Sequence, residues 1–153
     1  MRKILKSNMI FLGLCVAMLS AYTPMPGGEG FEIYLNNKLV LQKYNSDIKQ
    51  VATLQLDRRN ANDQLSVKYH HCGKIGKDRV ITVKDEKNKI LRQWHFADVN
   101  TVQGAMTCNV KEILSLEKLK ANELKLYYAS SELPAGRQLV TIIFSDKASY
   151  VSR

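Results

Sequence analysis

Residues that announce chemistry are scarce in this chain. In 153 residues there are three histidines, three cysteines, three prolines and one tryptophan. No two cysteines stand at C-x-x-C spacing and no two histidines at H-x-x-x-H spacing, so no zinc site can be read from the spacing. No G-x-S-x-G elbow marks a nucleophile. Gly76-Lys77 fails as a phosphate loop, because Asp78 follows where Ser or Thr is required and His71 stands where the first glycine belongs. The adjacent carboxylates Asp85 and Glu86 fall among lysines in a predicted turn, the usual look of a solvated tip. Acidic residues are outnumbered, 14 against 23 basic ones, a balance that bears on acidic partners and not on fold. No nucleic-acid recognition motif accompanies that charge. Internal repeats and low-complexity tracts are also missing.

Long apolar runs are absent except at the start. Arg2, Lys3 and Lys6 precede Met9–Leu19, an uncharged apolar stretch, and Ser20-Ala21 follows as a small-residue cut site. This layout predicts a signal peptide over 1–21, too short to span a bilayer comfortably, and no transmembrane span in the mature chain. The expectation is export to the periplasm or the extracellular space. Leu12-Gly13-Leu14-Cys15 is similar to a lipoprotein cleavage box, but Leu14 occupies its small-residue position, so anchoring at Cys15 is disfavoured. Loss of the leader leaves 20 basic and 14 acidic residues, a net charge of +6. It also leaves two cysteines. An exported chain with an even pair predicts a disulfide between Cys72 and Cys108. The 37-residue loop it would close is worth about 3.8 kcal/mol in chain entropy.

Residues 22–30 hold two prolines and three glycines and read as a flexible tether. A single domain is expected over 31–145, with a tail from 146 to 153. Within it, alternating apolar and polar residues predict strands at 31–35, 38–44, 51–56, 65–72, 79–84, 89–96, 123–128 and 138–144. Asn36-Asn37 tolerates the positive φ of a tight hairpin turn. In the fourth strand Leu65, Val67, Tyr69 and His71 share a face. Trp94 and Phe96 share another and are candidate core anchors. The last strand is apolar on both faces and should be central. Val110, Ile113 and Leu114 at helical spacing predict one short helix near 109–120. Ser130–Gly136 reads as a loop, and with Arg137 it is a candidate binding loop.

Eight short strands with frequent turns predict an all-β, antiparallel β-sandwich. Trp94 between two cysteines resembles the immunoglobulin pattern in outline, although the spacing is shorter and Met106 stands where that pattern places tyrosine. The resemblance is architectural and implies no function.

Two functional readings follow. The first is an exported non-catalytic binding or structural module of the cell envelope, without a cofactor. Its partner would be a protein or an anionic envelope component, met through Arg137, Tyr127 and the basic hairpin carrying Lys84, Lys87 and Lys89. The same lysines also serve to keep a sheet edge from pairing with other chains. The alternative is a metal-binding envelope protein using His70, His71 and His95, three residues gathered within a short span of sequence.

Overall fold

The computed structural model describes residues 28–59, 61–102, 104–116 and 123–145. The expected leader at 1–21, most of the tether, the end of the expected helix and the tail lie outside these residues. All eight predicted strands are present, and a ninth joins them. In chain order they are β1 (Glu29–Leu35), β2 (Lys38–Tyr44), β3 (Ala52–Asp57), β4 (Gln64–His71), β5 (Arg79–Lys84), β6 (Ile90–Phe96), β7 (Met106–Asn109), β8 (Glu123–Ser130) and β9 (Leu133–Ser145). A 3₁₀ turn covers Asn45–Lys49, and one α-helix, α1, covers Val110–Leu116.

The strands form two sheets packed as a sandwich. Sheet A has the order β2-β1-β4-β7 and sheet B the order β3-β9-β8-β5-β6. All pairings are antiparallel except β3 with β9, which run parallel. Strands β1, β4 and β7 are neighbours in one sheet and β6, β5, β8 and β9 in the other. These are the neighbour relations of strands A, B, E and C′, C, F, G of an immunoglobulin sandwich. Strand β2 is added outside β1, and no D strand occurs among the described residues.

Alternation accounts for the core. Phe31, Ile33 and Leu35 of β1, Leu65, Val67 and Tyr69 of β4, and Met106 and Cys108 of β7 face inward from sheet A. Leu54 and Leu56, Ile81 and Val83, Leu124, Leu126 and Tyr128, and Val140 and Ile142 meet them from sheet B. Ile48 of the 3₁₀ turn and Val110, Ile113 and Leu116 of α1 are buried with this cluster. Trp94 and Phe96, expected as anchors, are only half-buried and pack against its rim, because β6 is an edge strand.

Several local expectations change. The Asn36-Asn37 turn does adopt positive φ at both residues, 49° and 65°, and closes the first hairpin. Glu29 and Gly30, expected in the tether, already belong to β1. Tyr44 lies so close over Gly30 that a Cβ there would stand 2.0 Å from its ring, so only glycine fits. The stretch expected as a loop before β9 is strand. A two-residue turn at Ser131-Glu132 sends the chain straight back, and Gly136, with φ of 69°, absorbs the irregular register opposite Tyr128–Ser130. The first half of β9 has a strand neighbour on one side only, a setting that tolerates Pro134.

The disulfide is absent: Cys72 and Cys108 are both free thiols, one exposed and one buried. Register explains why. Cys108 lies opposite Leu65, whereas Cys72 follows the far end of β4, seven residues on. At about 3.3 Å per residue that is roughly 23 Å, well outside the reach of a disulfide. Short β7 was missed because its four residues are too few to show a period; the helix expected near 109–120 follows it directly, from Val110.

Candidate functional site

Two polar assemblies stand out, one between the sheets and one on the outer face of sheet B. The first lies where β4 and β8 end and β1 and β9 begin. Tyr69 and His71 project inward from β4, and Tyr128 projects inward from β8 to meet them. The Tyr69 and Tyr128 rings stack with centroids 4.2 Å apart. His71 Nε2 lies 2.8 Å from the Tyr128 hydroxyl and 3.3 Å from Ser130 Oγ. Burial pulls the His71 pKa below its ordinary value, against the opposing pull of Glu132 and Glu29. Burial likewise raises that of Tyr128. In antibody domains the corresponding pair of strands is joined by a disulfide; here the His71 imidazole and the stacked Tyr69 and Tyr128 rings span the same gap.

Arg137 belongs to this assembly and not to a free binding loop. Its Nε donates to the Tyr69 hydroxyl at 3.0 Å and its Nη2 pairs with Glu29 at 3.2 Å. The Tyr69 hydroxyl in turn donates to Glu29 at 2.5 Å. Only 26% of the Arg137 side chain is exposed. The segment after β4 closes the assembly. Gly76 is buried over the His71–Tyr128 contact, and a Cβ there would stand 2.7 Å from the Tyr128 oxygen. Arg79, 5% exposed, donates to the carbonyls of Ala97 and Gly104 and holds the β6–β7 connection beside it.

The second assembly is solvent-facing. Tyr127, next in sequence to Tyr128, points outward from β8. Lys84 Nζ of β5 lies 4.1 Å from the centroid of its ring. The Tyr127 hydroxyl donates to Gln138 Oε1 at 3.2 Å. Lys125, directly opposite Lys84, is held by the Glu86 carbonyl and Asn88 Oδ1, both at 3.0 Å. The Asp85–Lys89 turn that supplies these acceptors carries Lys87 and Lys89, both exposed. The structure therefore gathers Tyr127, Lys84, Lys87 and Lys89 at one end of sheet B and removes Arg137 from them. Lys125 was missed; its alternation with Tyr127 on β8 was the available signal.

The three histidines are not brought together. His71 is inside, His70 faces out from sheet A, and His95 is exposed on edge strand β6. Among the described residues no group of three or more His, Cys, Asp or Glu side chains could hold a metal ion. His70 instead joins an outer-face cluster that sequence reading missed. Glu32 accepts from the Tyr34 and Tyr44 hydroxyls, each at 2.5 Å, with His70 Nε2 at 3.6 Å. Burial pulls the Glu32 pKa up, but the two tyrosine hydrogen bonds, His70 and Lys68 outweigh it and leave it lowered. Tyr34 is pushed up to about 12, first by its hydrogen bond to Glu32. Cys108 is also pushed up to about 12, by burial, so it stays a protonated, inert thiol.

No helix among the described residues is long and apolar enough to cross a membrane. No family model matches the chain, and no curated protein matches it.

Proposed function

We propose that this chain is an exported, non-catalytic β-sandwich that serves the cell envelope as a binding module, meeting an anionic component through the outer face of sheet B. The observation that carries this is Lys84 lying over the Tyr127 ring, with Lys125 on the same outer face directly opposite Lys84. Two cations and an aromatic ring, each half-buried, lie on the outer face of the sheet beside a lysine-bearing turn. Cation–ring contacts at exposed sites are worth only about 0.5–1 kcal/mol, so fold stability does not demand this grouping. The net charge of +6 expected after leader removal adds long-range attraction for an acidic partner. Export itself rests on the charged and apolar pattern of residues 1–21.

A photoreactive residue placed at position 127 tests the proposal by crosslinking in intact cells. The expected result is an adduct with an acidic envelope component that disappears in the double variant Lys84→Glu, Lys125→Glu while the thermal midpoint stays within a few degrees. An adduct that survives charge reversal, or none at all, overturns it.

A further inference from the structure

We infer that His71 is an acid-sensitive latch between the two sheets, whose protonation frees the Cys72–Asp78 segment together with the β8–β9 turn. His71 is 8% exposed, and its ring meets the Tyr128 hydroxyl of β8 inside the sandwich. Its neighbours hold it as a neutral ring. Nε2 faces two hydroxyls, Tyr128 and Ser130, and the Tyr69 ring stands 4.7 Å away by centroids. The charged and titratable groups around it are Glu29 of β1, Tyr69 and His70 of β4, Lys74 after β4, Arg79 of β5, Tyr128 of β8, Glu132 of the β8–β9 turn and Arg137 of β9. None of the carboxylates makes an ion pair with His71: Glu29 is engaged by Arg137 and Tyr69, and Glu132 accepts from the Lys77 amide. A proton on His71 would therefore create a buried cation that Glu29 and Glu132 attract from a distance without pairing with it, and burial outweighs that attraction until water reaches the ring.

Gly76 lies directly over the His71–Tyr128 contact, so water reaches Nε2 by displacing Gly76. That segment is tied to the β8–β9 turn by Ser131 N to Lys77 O at 2.9 Å, Lys77 N to Glu132 at 2.9 Å and Ser131 Oγ to Asp78 at 2.6 Å. The two move as one unit. The sign follows from burial. The folded chain holds the His71 proton more weakly than an unfolded chain does, so the latch is fully closed above the ordinary histidine value of 6.5. It weakens as pH falls through the lower, folded-state midpoint.

The test follows the His71 ring protons by NMR and measures amide-exchange protection over 73–78 and 131–137, in the full chain and in His71→Gln, between about pH 7.5 and about pH 5. His71 is expected to titrate below 6.5. Protection of both segments should fall by about tenfold at its midpoint, and by less than about twofold in His71→Gln. Titration at or above 6.5, or equal loss of protection in both proteins, overturns the inference. Should His71→Gln fail to fold, the native chain alone decides: loss of protection must coincide with the His71 titration.

Discussion

Tyr127 and Tyr128 are neighbours in sequence and opposites in surroundings. Tyr128 is fully buried, stacked on Tyr69 and bonded to His71, and its hydroxyl is met by the imidazole. Tyr127 lies on the outer face with a lysine over its ring and water beyond. The interior assembly is closed and its polar groups are spent on holding two sheets together. The outer one spends little on the fold and leaves its charges available. Identical side chains one position apart thus divide between the core and the outer face proposed for recognition, because successive strand residues point to opposite faces.

That contrast can be broken most forcefully at Tyr128. Replacement by alanine should cost about 3–5 kcal/mol in urea unfolding, through the cavity and the unpaired His71. The same change at Tyr127 should cost no more than about 1 kcal/mol, from one exposed hydrogen bond and one cation–ring contact. Comparable losses at both sites would erase the distinction. A smaller effect is expected at the lid. Gly76→Ala puts a methyl group 2.7 Å from the Tyr128 oxygen, on a ring that is fully buried and cannot swing away. Overpacking of this kind costs about 1–3 kcal/mol, and the thermal midpoint should fall accordingly. The smallest effect belongs to Cys72→Ser, which should change stability by less than about 0.5 kcal/mol with or without reductant, because Cys72 is exposed and free. A reductant-dependent loss in the native chain would restore the disulfide and contradict the register.

Much of this fold was legible because alternation is local. The inward face of β4, read as Leu65, Val67, Tyr69 and His71, is the buried face. The first hairpin was legible from Asn36-Asn37, and the central place of β9 from its apolar residues on both faces. Failures came where the answer depended on a distant segment. The two cysteines were paired on their number and compartment, and the register of β7 against β4 separates them. Arg137 reads as a charge in a loop until β9 is seen running from Leu133, which carries the guanidinium inward to Tyr69 and Glu29. The histidines look like a cluster in sequence, yet His70 and His71 are sent to opposite faces by the strand they share, and His95 to another sheet.

Alone, the sequence determined that this is an all-β chain with inward-facing apolar rows, turns at known places and an excess of positive charge. Those properties depend on side-chain parity and backbone preference within a few residues. Tertiary structure alone decided that β4 and β8 are fastened by His71 and Tyr128 instead of by sulfur. It also decided that Arg137 joins Tyr69 and Glu29 at the rim of the sandwich and that Lys84 lies over the Tyr127 ring. Strand order and register are set by contacts between residues far apart in the chain, and no local pattern encodes them.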